Sequence, residues 1–93
     1  MGSEEIVVVD DEALRMVEAL TATTLRILRI LSEERLDAST IARKMNLSEA
    51  YISEEVRLLE ELKLIKVSYE RGKRGIRKIS QSAVKRITIV VKP

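Results

Sequence analysis

The stretch from Leu36 to Ile65, "LDASTIARKMNLSEAYISEEVRLLEELKLI", constrains the fold more than any other part of the chain. Asp37 is placed to cap a short helix with Ile41 and Met45 turned inward. Asn46 and Leu47 form a tight turn. Ser48 then caps a longer helix running to about Leu62, with Ile52, Val56, Leu59 and Leu62 as its buried stripe. A short helix, a turn of three or four residues and a capped longer helix make a helix-turn-helix. An ordinary helical hairpin has the same pattern, so this segment alone leaves function open.

The residues after Leu62 are more specific. "LIKVSY" (Leu64 to Tyr69) sets Ile65, Val67 and Tyr69 against Lys66 and Ser68, and Ile76 to Ser80 alternates again, so the two runs predict a β-hairpin. Between them, "YERGKRGIRK" (residues 69–78) holds Arg71, Lys73, Arg74, Arg77 and Lys78 around Gly72 and Gly75. Both glycines are expected to turn the tip with positive φ. A helix-turn-helix with a basic-tipped hairpin directly after it is a winged helix. The expected class is therefore α+β, mainly helical with a β-hairpin wing and short terminal strands, as a single domain over residues 1–93.

The flanks are read by the same rules. Ile6 to Val9 is a β-branched strand, and Asp10 and Asp11 are N-cap candidates for a helix from Glu12 to about Leu20 that turns Ala13, Leu14, Val17 and Leu20 inward. Thr21 and Thr23 are alternative caps for a second helix, whose Leu25, Ile27, Leu28, Ile30 and Leu31 make a face wide enough to be buried on two sides. "VKRITIVV" (Val84 to Val91) alternates and predicts a last strand. The terminal segments 1–10 and 84–93 carry acids and bases respectively, which favours their pairing, within one chain or across a dimer.

Charge and composition exclude several functions. The chain has 17 Lys and Arg against 15 Asp and Glu, a net charge of only +2. Residues 1–70 carry all fifteen acids and nine bases, whereas residues 71–93 carry eight bases and no acid. Such asymmetry favours a polyanion-facing surface, the alternative being that the basic end neutralises the acidic body. The chain has no Cys and no His, so thiolate and imidazole metal ligands and the commonest general base are lacking. No enzyme, cofactor or metal is expected. No apolar stretch approaches 18 residues and no signal-like start is present, so a soluble, cytoplasmic protein with no membrane partner is expected. One Asn, one Gln and many Glu, Lys and Arg match the hyperthermophile tendency.

Over roughly Leu20 to Ser80 the chain resembles the ArsR-type winged-helix transcriptional regulators, particularly short archaeal members. "TTLRILRIL" is similar to the family's helix that begins with Thr and continues Leu-Arg-Ile-Leu. The Leu36 to Val67 segment resembles its helix-turn-helix, with a Leu-Ser turn before a helix that ends in Leu-Leu-Glu and leads into the wing. The resemblance implies a homodimer on double-stranded DNA, associated with the nucleoid. Two departures stand out. The metal-sensing branch has Cys-x-Cys where this chain has Asp37 and Ser39, which removes a thiolate metal sensor. The family's C-terminal dimerisation helix is replaced by a strand over Ile87 to Val91.

If DNA is the partner, the recognition helix (48–62) offers Ser48, Ala50, Tyr51, Ser53, Glu54 and Arg57 to the major groove, on the face opposite the buried stripe. Arg57 can bond guanine or a phosphate, Ala50 can pack on a thymine methyl, and Glu54 can accept from cytosine N4. Glu49, Glu54 and Glu55 make this an acidic helix. Phosphate attraction must then come from the wing, helped by Arg43 and Lys44. A solvated turn is the bland reading of the wing. The Gly-x-x-Gly clamp of RNA-binding KH domains is set aside, because that loop joins two helices and this one two strands. A protein-interaction module and a non-specific architectural DNA binder are the other functional readings.

Overall fold

The structure is a computed structural model that describes residues 4–92. Residues 1–3 and Pro93 of the expected terminal segments lie outside the described residues. The elements in order are β1 (Glu5–Val8), α1 (Asp10–Ala19), α2 (Ala22–Glu33), α3 (Ala38–Met45), α4 (Glu49–Glu61), β2 (Ile65–Gly72), β3 (Gly75–Ser82) and β4 (Arg86–Ile89). The architecture is a winged helix of the α+β class.

Each helix of the helix-turn-helix starts where a side chain satisfies an orphan backbone donor. Asp37 accepts the Thr40 N–H at 3.0 Å, and Ser48 accepts the Tyr51 N–H at 3.1 Å. Asn46 ends α3 in the left-handed conformation (φ 57°), which asparagine tolerates, and turns the chain toward α4. Thr21, rather than Thr23, caps α2 by a reciprocal pair. The Thr24 N–H reaches Thr21 Oγ1 at 3.2 Å, and the Thr21 N–H reaches Thr24 Oγ1 at 2.8 Å. Thr24 is fully buried, and its hydroxyl donates to the Ala19 carbonyl at 2.8 Å, which ties the end of α1 to the start of α2.

The core is built from Ile27 and Leu31 of α2, Ile41 of α3, Ile52, Val56 and Leu59 of α4, and Leu64 and Ile65 at the entry to β2. β2 and β3 pair antiparallel from Ile65↔Ser82 to Gly72↔Gly75, longer than the alternation predicted, so the loop shrinks to Lys73 and Arg74. Leu36 adds one antiparallel bridge to the hairpin through hydrogen bonds of 3.0 and 2.8 Å with Ser80. That bridge ties the entrance of the helix-turn-helix to the wing. β1 and β4 form a separate two-stranded parallel sheet, with Ile6 opposite Ile87 and Val8 opposite Ile89.

Three expectations are corrected. Asp10 and Asp11 lie inside the first turn of α1 and do not cap it; Val9 is the N-cap and makes no side-chain cap bond. The two carboxylates instead sit where the helix dipole favours negative charge. Leu14 and Val17 do not face inward but are 64% and 54% exposed, because α1 packs through Ala13, Met16 and Ala19. Finally, α2 is not buried on both sides, since Leu25 remains exposed.

Candidate nucleic-acid interface

α4 is held by its buried side and leaves its other side free for contact. With Ile52, Val56 and Leu59 in the core, Ser48, Ala50, Tyr51, Ser53, Glu54 and Arg57 are all exposed. Glu55 is half-buried, at the edge of that face. Arg57 and Glu54 are not independent: Arg57 Nη2 donates to Glu54 Oε2 at 2.9 Å, and both side chains are about two-thirds exposed. Such a surface pair contributes only about 0–1 kcal/mol, so either partner can be drawn away by a stronger one.

The five basic residues of the wing separate into two groups. Arg77 donates through Nε and Nη2 to Asp37 Oδ2, at 3.2 and 2.9 Å. Lys78 donates to Glu60 Oε1 at 3.0 Å. By contrast, among the described residues Arg71, Lys73 and Arg74 make no ion pair, and all three are exposed at the tip. The basic end thus partly neutralises the acidic body, at the base of the wing and through a pair between Lys85 and Glu4 at 3.2 Å. On α3, Lys44 pairs with Glu34 at 3.3 Å, and Arg43 donates to Thr40 Oγ1 at 3.2 Å. The opposite edge of the wing is held by Arg35, which donates to Ser68 at 3.1 Å and also pairs with Glu70.

The structure brings wing and helix together across a groove. Asp37 and Ser39 of the α3 start, Glu49 and Ser53 of α4, and Ile76 and Arg77 of β3 all line it. Arg43 and Lys44 lie outside that lining. Asp37 is the residue that sequence reasoning undervalued: it caps α3 and also anchors the wing. Nothing in local spacing signals the second role, because Arg77 is forty residues away.

The tip turns differently from expectation. Only Gly75 takes a positive φ, of 118°, while Gly72 does not. Gly72 is small for another reason: a Cβ there would meet the Arg77 side chain at 2.7 Å. Gly75→Ala is expected to cost about 1–3 kcal/mol, because that φ lies in a region L side chains avoid although the space is open. Urea denaturation measures the loss, and a value under a few tenths would show that the turn relaxes.

Asp37 has its carboxyl lowered to about 2. Hydrogen bonding from Thr40 is the main cause and the Arg77 guanidinium adds to it, while partial burial acts in the opposite direction. A depressed carboxyl contributes stability above its unfolded value, near 3.8, and loses it as pH falls through about 2. Asp37→Asn retains a good cap but removes the charge that holds Arg77. The melting-temperature gap between the native chain and this variant is therefore expected to be constant above about pH 5 and to close by about pH 2. A gap that persists at pH 2 would show that it does not arise from the ionised carboxylate.

Among the described residues, no helix is long and apolar enough to cross a membrane, and no group of three or more His, Cys, Asp or Glu is placed to hold a metal ion. No known protein family and no curated protein sequence matches the chain. Among solved structures, the fold is similar to that of the protein named "Possible transcriptional regulator from Methanosarcina mazei Go1", with a TM-score of 0.64 at 14% identity over 77% of this chain. The match spans 63% of that protein's length, and at this identity it shows a shared fold, that of a winged helix.

Proposed function

We propose that this chain is a DNA-binding transcriptional regulator of the winged-helix type. α4 enters the major groove and presents Ser48, Ala50, Tyr51, Ser53, Glu54 and Arg57. The wing tip lies on the phosphate backbone, with Arg43 and Lys44 as further backbone contacts. The observation that carries this reading is the cluster of Arg71, Lys73 and Arg74, exposed on the wing that flanks α4 and with no acid partner among the described residues. Arg57 and Glu54 answer each other in the free protein, so base reading by either requires that pair to open. Duplex then supplies the better partner for Arg57, and Glu54 is left to accept from a cytosine amino group.

The reading includes a homodimer. Val7, Leu14 and Val17 expose apolar surface on β1 and α1, and burying it against a second copy gives a two-fold assembly suited to successive major grooves about 34 Å apart. ArsR-like kinship and archaeal origin belong to the same proposal and rest on the sequence resemblance. The test is fluorescence anisotropy on duplex DNA, in which log affinity is expected to fall linearly and steeply with log salt. Binding that ignores salt, or none at low salt, sinks the proposal. Genomic selection returning one palindromic site separates a regulator from an architectural binder.

One observation favours a second reading, a protein-interaction module. Glu49 and Glu54 stand exposed on the face that would meet DNA, with Glu55 at its edge. A stoichiometric protein partner that survives nuclease treatment, with no DNA retained, would support it.

A further inference from the structure

α2 and the segment leading into β4 flank an open cleft of about 390 Å³. Leu20, Leu25, Leu28 and Ile87 form its apolar wall, and Arg29, Lys85 and Arg86 stand around it. No Asp or Glu lines it. The size falls within the range of small-molecule sites, which combine an apolar lining with a few polar groups. Three cations on an apolar cleft with no lining acid favour an anionic occupant with an apolar part.

The state of the three cations sharpens this. Among the described residues, Arg29 and Arg86 form no ion pair, although Glu5 lies across from Arg86 in the strand register and accepts the Thr88 hydroxyl at 2.7 Å. Lys85 meets Glu4 at 3.2 Å, but both side chains are well exposed, so the pair is weak and open to exchange. A guanidinium is a planar fork that matches a carboxylate in two parallel hydrogen bonds.

We infer that this cleft binds a small organic carboxylate with an apolar body. The body lies against Leu25, Leu28 and Ile87, and the carboxylate is held between Arg29 and Arg86. The inference stands apart from the DNA-binding reading, because none of these residues belongs to the proposed interface, and a failure of duplex binding leaves it untouched.

The test is amide chemical-shift mapping of the full chain titrated with decanoate, decanol and decyltrimethylammonium, each below its micelle concentration. Decanoate is expected to give saturable shifts centred on Leu25, Leu28, Arg29 and Lys85 to Ile87, and to bind at least tenfold more tightly than the other two. Arg29→Gln and Arg86→Gln, both at exposed positions, are each expected to weaken decanoate about tenfold while leaving decanol unchanged and the rest of the spectrum native. Equal affinity for all three amphiphiles would overturn the inference. So would shifts centred on Leu14 and Val17, or cleft amides that respond to protein concentration instead of decanoate, which would assign the cleft to a second copy of the chain.

Discussion

Replacing Arg71, Lys73 and Arg74 together by alanine is expected to lower the salt slope of duplex binding by about 3, since each phosphate contact contributes roughly 0.9. Between 50 and 200 mM salt, the affinity lost by the variant would then be smaller than that lost by the native chain by roughly 40-fold. These three cations are the appropriate targets because removing them breaks no ion pair among the described residues, so the change reports on binding and not on folding. Arg77 and Lys78 are poorer targets. Removing Arg77 releases Asp37, and removing Lys78 releases Glu60, so both changes add exposed negative charge beside the duplex. The loss in the triple variant should be uniform across duplex sequences, as phosphate contacts carry no sequence information. A slope that stays within about half a unit of the native value would place the backbone contacts elsewhere.

Leu59→Ala is expected to be among the most damaging single changes, at about 2–5 kcal/mol by urea denaturation. Leu59 is fully buried on the inner stripe of α4, among the residues that fix how this helix presents its outer face. Truncation removes the transfer energy of the side chain and leaves a cavity that the helix can close only by tilting. At roughly 4–8 °C per kcal/mol for a domain of this size, the melting temperature should fall by at least about 8 °C. Arg57→Ala is the counterpart on the same helix. Its side chain is 65% exposed and loses only a surface pair, so stability should change by less than about 1 kcal/mol while base preference changes. If Leu59→Ala binds duplex with native affinity, the orientation of α4 is not what positions the interface.

Local reading succeeds at the helix-turn-helix and stops at the first helix. Asp37, Asn46 and Ser48 act through backbone donors or backbone conformation within a few residues, so spacing alone locates α3 and α4. In α1, Ala13, Leu14, Met16 and Val17 admit two inward stripes, and periodicity prefers the bulkier one. The packed helix instead buries Ala13, Met16 and Ala19, and leaves Leu14 and Val17 exposed. Asp10 obeys the same logic. It has the chemistry of a cap, but β1 delivers the chain to the helix with Val9 in the capping position.

The candidate site divides along the same line. The exposed side chains of α4 are set by the angle opposite Ile52 and Val56, and the density of basic residues in the wing is visible in the charge count. Which of those bases are engaged is not. Arg77 finds Asp37 and Lys78 finds Glu60 only because the hairpin folds back on the helices, and Lys44 finds Glu34 only because α3 folds back beside α2. No pattern in the chain marks these partners beforehand.

Periodicity, capping residues and turn chemistry are properties of neighbours in the chain, and they suffice for the winged-helix order, the hairpin and the outward face of α4. Pairings between distant segments have no such local signature. Opposite charges at the two ends favour the pairing of β1 with β4, but its parallel sense and register, the Leu36 bridge to Ser80, the latch from Arg77 to Asp37 and the outward turn of Leu14 and Val17 emerge only from packing. Their energies depend on which surfaces meet, and that is a property of the folded chain.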